Sequence, residues 1–473
     1  MLVGILTAAI LARLLSTAEY GSYRQVFLLY GTLSSALSLG LPQALYYFLP
    51  RSPEESRSIL SANLFPVVAI GGCVILILWG GGAKFIAGQF NNPELQGLLY
   101  LFSPYVLFAL PMLAINTCLV SRGRAQLVVL YTVTSRVLLL VGAVLPVLLV
   151  STAAGAVGGA MLATAVASGV GIVIVYRICR EGGWLPRWPQ IREQVQYSVP
   201  IALAGMMGSF AVNLDKLLVS WFFTPSDLAV YANGAMELPL ISVVTGSVTS
   251  VLLPEFSALF QRGDREGVLA IWHRAMVKCA TILFPVAVFC FAMAPEVIRI
   301  LFSAKYNNSV APFRIYLLTT PLRMTSYGMI PLASGRTHVV LLVEAVSSLL
   351  QILLSILLMR RMGPIGAAIA IVLTLYGGVF FGFLNWTRRY LETSWANLLP
   401  WRNLGMVLAA SLIAGCVFGL MPVLPNGDIL RILIIGMIYC SVAIYVLSRW
   451  RLIDVPAIID KVRKRSHIAT ASV

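Results

Sequence analysis

Seven ionisable side chains within apolar runs of this sequence are candidates for chemistry: the bases Arg24, Arg136, Lys216 and Arg323, and the acids Asp215, Glu237 and Glu344. An ionised group at the centre of a bilayer costs about 2.5 to 3.5 kcal/mol on insertion scales, so it persists where it lines a polar cavity or meets a partner. Cations gathered in a poorly hydrated cavity suit an anion such as a phosphate, which guanidinium groups grip bidentately. A carboxylate in the same surroundings holds its proton more tightly, and can load and release it as its access to water changes. Asp215 is the single Asp within any run and so the first candidate for ion coupling, with Glu237 and Glu344 behind it. Arg13 and Arg24 lie near run ends, where a long side chain equally well snorkels to the interface. For the mid-run Arg136 and Arg323 that route is harder, leaving a cavity or a structural ion pair.

The elements that carry these residues must be membrane helices. Of 473 residues 59% are hydrophobic and 11% charged, and the mean hydropathy of +0.89 is too high for a soluble globular chain. At about 20 residues per span, this composition has room for about fourteen helices and no soluble catalytic domain. The seven cysteines and three histidines are dispersed, without a CxxC pair or an HExxH run. No metal or cofactor is expected, and no enzymatic chemistry. The net charge of +16 is scattered between apolar runs and forms no compact patch, so a nucleic-acid partner is not expected.

Fourteen apolar runs can be counted between residues 2 and 448, among them 23–49, 197–223, 230–253 and 312–333. The first, 2–15, is short and reads as a helix lacking residues at its front. Loops after even-numbered runs, with the C-terminal tail, carry 22 Lys and Arg against 9 on the other face, which places both termini in the cytoplasm. The tail, Lys461 to Arg465, suits contact with anionic membrane lipid.

The chain also repeats at a spacing of about 210 residues. Ser16-Thr17-Ala18-Glu19-Tyr20 and Tyr23 match Thr224-Pro225-Ser226-Asp227-Leu228 and Tyr231; Leu41-Pro42-Gln43 matches Leu253-Pro254-Glu255; Gly123-Arg124 matches Gly335-Arg336; Gly155 to Gly158 match Gly363 to Gly366. One such match would be weak, because Gly and Pro recur at loop ends, but four in the same order argue for duplication. The expected architecture is all-α and polytopic. Two six-helix lobes, 1–180 and 193–390, are related by a pseudo-two-fold along the membrane normal. An additional two-helix segment covers 400–450 and a basic cytoplasmic tail 451–473.

Ala12-Arg13-Leu14-Leu15-Ser16 followed by Glu19-Tyr20-Gly21-Ser22-Tyr23, then Asn213-Leu214-Asp215-Lys216 and the acidic-to-Tyr turn from Asp227 to Tyr231, resembles the polysaccharide biosynthesis proteins. These belong to the multidrug/oligosaccharidyl-lipid/polysaccharide (MOP) exporter superfamily. The resemblance covers about the first 390 residues, and the last two runs look like the extra pair of some members. It implies a flippase in the bacterial inner membrane that moves undecaprenyl-pyrophosphate-linked oligosaccharides to the periplasmic leaflet by alternating access. Its partners would be that lipid-linked oligosaccharide, membrane lipids and polysaccharide polymerase machinery.

Under this reading Arg24, Arg136, Lys216 and Arg323 bind the anionic head group, and Asp215, Glu237 and Glu344 serve ion coupling. Matching Arg124 to Arg336 sets Arg136 opposite Ser348, with Glu344 one helical turn before it. An Arg136 to Glu344 lock between lobes and an ion pair within one lobe are both open. Asp215 and Lys216 are adjacent, about 100° apart on a helix, and cannot both point squarely into a cleft. Competing functions are a cation-coupled multidrug exporter, which would want an acidic cleft, and a peptidoglycan-precursor flippase. A membrane glycosyltransferase or polymerase would need a large outer loop, and an assembly scaffold would leave the buried charges without a task.

Overall fold

The computed structural model describes residues 2–423 and 427–452; the basic stretch Lys461 to Arg465 lies outside them. Every regular element among the described residues is helical. Contacts divide the chain into two units, Met1–Ala232 and Asn233 onward.

Unit one contains α1 (Leu2–Leu14), α2 (Thr17–Leu37), α3 (Leu41–Arg51), α4 (Ser56–Ile77), α5 (Ala83–Gln89), α6 (Pro93–Ser121), α7 (Ala125–Val150), α8 (Ala153–Ile178), α9 (Trp188–Phe222) and most of α10 (Pro225–Gly234). Side-chain caps start several of these helices. Ser16 Oγ accepts from the Glu19 amide at 3.2 Å, and Thr152 Oγ1 from the Gly155 amide at 3.2 Å. The Glu19 carboxylate reaches α8 and accepts from the Ala153 amide. The expected run 23–49 is two helices rather than one. Gly40, at φ +65°, turns the chain between α2 and α3, and a Cβ there would sit 2.6 Å from the Ser198 carbonyl of α9. Helix α9 packs along α2 within unit one, so the 181–192 connection separates the repeats in sequence but is not where the contacts divide.

Unit two contains α11 (Pro239–Gln261), α12 (Arg265–Ala292), α13 (Ala294–Phe302), α14 (Val310–Leu317), α15 (Met329–Ala333), α16 (Thr337–Met362), α17 (Ile365–Thr374), α18 (Phe381–Tyr390), α19 (Trp395–Leu398), α20 (Trp401–Ala414) and α21 (Asp428–Arg449). Helix α12 buries Trp272, Met276 and Leu283 at the centre of its core. The added pair α20 and α21 packs on α12: Tyr439 Oη donates to the carbonyls of Pro285 (3.0 Å) and Ser411 (3.2 Å). Arg299 of α13 clasps Asp428 at the start of α21 through two hydrogen bonds of 2.9 and 2.8 Å.

Two expected spans are corrected here. The run 312–333 is not one helix but α14, a 3-10 turn over Thr320–Met324, an extended Thr325 (φ −155°, ψ 165°) and α15. Pro312, Pro321 and Pro331 remove helix donors along it, and the Trp272 indole holds the break open by donating to Thr325 Oγ1 at 3.0 Å. The run 230–253 breaks at residues 235–238, because Pro239 begins a new helix and disfavours helical backbone before it. Among the described residues, ten helices are long and apolar enough to cross a membrane. The short α1 and the interrupted runs account for most of the difference from fourteen.

The repeat is visible in turn geometry. Thr224 Oγ1 accepts from the Asp227 amide at 3.2 Å, as Ser16 does from Glu19. The turns that open α7 and α16 are superimposable in pattern. Gly123 and Gly335 have φ of +66° and +75°, and the amides of Arg124 and Arg336 donate back to Leu119 and Pro331 at 3.0 and 2.8 Å.

Candidate functional site

Three of the four expected cations meet in unit one. A cavity of about 380 Å³ is walled by Arg24 of α2, Arg136 of α7, and Asn213 and Lys216 of α9, with Tyr23, Phe27 and Tyr105 beside them. Among the described residues, no Asp or Glu lines it. Arg24 is placed by its neighbours in sequence. Gln25 Nε2 donates to Ser220 Oγ of α9 at 3.1 Å, and Asn92 Nδ2 donates to Gln25 Oε1 at 2.6 Å and Ser22 Oγ at 2.9 Å. This buried polar network locks the rotation of α2, and a fully satisfied network of this kind specifies one arrangement. The Arg24 guanidinium then donates to the Ala232 carbonyl at 3.4 Å.

The end of α10 is close because α2 carries glycine where the two helices meet. A Cβ on Gly21 would fall 1.9 Å from the Pro225 carbonyl oxygen, so no other residue permits this approach.

Asp215 is fully buried behind the cavity rather than in its wall. Lys216 Nζ lies 3.4 Å from its Oδ2, and Tyr231 Oη donates to the same carboxylate at 2.9 Å. Tyr231 was not foreseen as its partner. The Asp227 to Tyr231 turn is legible as a repeat element, but 16 residues and a chain reversal separate it from Asp215, so no helical periodicity links them. Tyr23, Tyr105 and Asn213 were likewise absent from the expected site.

Arg323 lies in unit two, an exposed residue on the otherwise largely buried 3-10 turn of the broken span and not within an α-helix. Its Nε pairs with Glu237 Oε1 at 3.3 Å, the two side chains being 44% and 38% exposed. An ion pair that open is worth about 0 to 1 kcal/mol, so it does not lock. Glu237 sits in the break before α11 instead of on a span. Glu344 of α16 and Arg323 share the wall of a smaller cavity, about 250 Å³. The expected residues that line a cavity therefore fall in two separate cavities, one in each unit. That of unit one is cationic, and that of unit two mixed.

A family model described as polysaccharide biosynthesis protein matches residues 10–311, which include Arg24, Arg136, Asn213 and Lys216 of the cavity in unit one. The chain belongs to this family. This polysaccharide biosynthesis protein is 26% identical over 287 residues to an uncharacterized membrane protein of Methanocaldococcus jannaschii, covering 58% of this chain and 54% of that protein. It thus spans about half the length of the curated relative that it matches. Its fold is shared with solved MOP superfamily transporters. The lipid II flippase MurJ in an inward closed conformation matches with a TM-score of 0.72 at 16% identity, over 95% of this chain and 96% of that one. An inward-facing multidrug resistance MATE family transporter matches at 0.65 and 17%, over 83% and 94%. A MOP superfamily transporter from Pyrococcus furiosus, described as having a binding pocket of reverse polarity, matches at 0.54 and 17%, over 83% and 92%. The polysaccharide biosynthesis protein is accordingly a multi-pass, all-helical membrane protein of the MOP fold.

Proposed function

We propose that the protein flips undecaprenyl-pyrophosphate-linked oligosaccharide units from the cytoplasmic to the periplasmic leaflet of a bacterial inner membrane, by alternating access, for surface polysaccharide synthesis. The observation that carries the reading is the cavity of unit one, where Arg24, Arg136 and Lys216 converge with no lining carboxylate. A pyrophosphate leaving water loses its hydration, and three cations in a low-dielectric wall replace it with charge-assisted hydrogen bonds. A multidrug exporter of cationic compounds would be opposed by the same field. The head group is a partner alongside membrane lipids, and polymerase machinery would receive the product. Both termini lie in the cytoplasm under the Lys/Arg asymmetry.

Coupling to a cation completes the cycle, with Asp215 as the proton carrier. Its carboxylate touches Lys216, which also lines the cavity, so protonation of Asp215 and occupancy by an anion act on the same ammonium group. Glu237 and Glu344, beside Arg323, are the second candidates.

The test is flipping of a fluorescent undecaprenyl-pyrophosphate oligosaccharide in proteoliposomes with and without an imposed pH gradient. Protein-dependent, gradient-stimulated transfer is expected. No transfer of this lipid, together with uptake of cationic dyes, would exclude the reading. The peptidoglycan precursor presents the same pyrophosphate, and similarity to the lipid II flippase fold over 95% of the chain supports testing it in parallel.

A further inference from the structure

A cavity of about 870 Å³ opens in unit two where residues 262–264 join α11 to α12 and residues 391–400 join α18 to α20. Both connections link helices long and apolar enough to cross the membrane, so the cavity lies at a membrane-water boundary. The second connection does not stand off into water. It folds back along α18, so that the Trp395 ring stacks on Phe381 with 5.5 Å between centroids and 11° between planes. The Arg388 guanidinium lies 5.1 Å over the Trp395 ring. Phe381 is nine residues before Tyr390, the end of α18, a depth of about 13 Å along the helix. Trp401 Nε1 donates to the Trp395 carbonyl at 2.8 Å, and His273 Nε2 donates to the Leu398 carbonyl at 3.0 Å. These bonds fix α19 at the rim. Trp395 and Trp401 stay 36% and 49% exposed, as tryptophans at head-group level do.

The charges of the wall are specific. Arg265 and Glu392 are 2.5 Å apart and satisfy each other. Arg402 and Glu266 line the same cavity, and among the described residues neither has an ion-pair partner. They do not pair with one another, and place one cation and one anion on a single wall.

We propose that this cavity binds the head group of a zwitterionic aminophospholipid, its phosphate on Arg402 and its primary ammonium on Glu266, with acyl chains along the Trp395 and Phe381 face. A primary ammonium donates hydrogen bonds to the carboxylate, which a quaternary choline cannot do. An anionic glycerol head group would leave Glu266 without a cation.

Native mass spectrometry of the purified protein with added phosphatidylethanolamine, phosphatidylcholine or phosphatidylglycerol tests the assignment. Phosphatidylethanolamine adducts should persist about tenfold better than phosphatidylcholine, the order expected for one charged hydrogen bond. Arg402→Gln and Glu266→Gln should each lower phosphatidylethanolamine retention by a similar factor, while Arg389→Gln, exposed on α18 outside the cavity wall, should not. Equal retention of the two zwitterions, preference for phosphatidylglycerol, or undiminished retention by both variants would overturn the proposal. The head-group comparison on the wild-type protein decides it even where a variant fails to fold.

Discussion

Lys216 Nζ lies 3.4 Å from Oδ2 of Asp215, the residue before it on α9, while the Lys216 side chain forms part of the cationic cavity. Adjacent residues leave a helix about 100° apart, and the four-carbon lysine stem spans that difference. The Lys216 side chain is 17% exposed and that of Asp215 fully buried. One residue faces the cavity and its neighbour holds the charge in place from behind.

Substitution of Asp215 therefore has a functional signature. Asp215→Asn keeps an acceptor for Tyr231 but removes the charge, mimicking the permanently protonated state. Binding of the lipid-linked substrate should persist, while flipping under a pH gradient falls at least about tenfold because the return step needs the charged form. Asp215→Glu should retain part of the activity with a shifted pH optimum. Wild-type, gradient-stimulated flipping by Asp215→Asn would make the residue structural.

Tyr231→Phe removes a 2.9 Å hydrogen bond to a buried carboxylate. A hydrogen bond to a charged group contributes about 1.5 to 3 kcal/mol, so the variant should unfold several degrees lower in detergent. In the Asp215→Asn background the same change should cost less, since the acceptor is then neutral. Equal losses in both backgrounds would mean that the hydroxyl acts independently of the carboxylate charge.

Arg136→Ala and Arg24→Ala should each reduce flipping about ten- to a hundredfold, the loss expected for a charged hydrogen bond to the head group. Arg→Lys should restore it only in part, because the bidentate fork is gone. Arg323→Ala should have the smaller effect, since Arg323 already pairs with Glu237. Full transfer by the Arg24→Ala, Arg136→Ala double variant would remove the cavity of unit one from the mechanism.

Gly21→Ala places a methyl group 1.9 Å from the Pro225 carbonyl oxygen. Helix α10 must retreat, carrying with it Tyr231 and the Ala232 carbonyl that holds Arg24. Thermal stability and flipping should fall together, and an unchanged melting profile would show that α10 adapts freely.

Single cysteines introduced in a cysteine-free background at Asn91, Ser151 and Asn308 should be labelled from the periplasm, and those at Arg187 and Arg262 from the cytoplasm. All five positions are surface-exposed, which permits labelling without unfolding. Labelling of Arg187 and Asn308 from one side would contradict the topology. Native Cys73, Cys416 and Cys440 are exposed and would otherwise give background.

Composition and periodicity alone determined the membrane class, the helical content and the duplication, because the bilayer allows few ways to satisfy a backbone and each span must be locally apolar. The charges that matter were legible for the same reason. A cation within an apolar run announces itself, and Arg24, Arg136 and Lys216 do share one cavity. What they pair with was decided by tertiary structure. The Tyr231 to Asp215 bond, the Gln25, Asn92 and Ser220 network and the Arg323 to Glu237 pair each join residues whose proximity depends on how helices rotate and where they break. Cys118 and Cys179, 61 residues apart, bring their sulfurs to 3.6 Å in the same way, where the sequence suggests only dispersed cysteines. Breaks at Gly40, at residues 235–238 and at Thr325 were hidden because hydropathy averages over a span, whereas a helix ends where single prolines, glycines and side-chain donors take over its hydrogen bonds. Apolarity is a property of segments and can be read one segment at a time; pairing belongs to surfaces that exist only once the segments have packed.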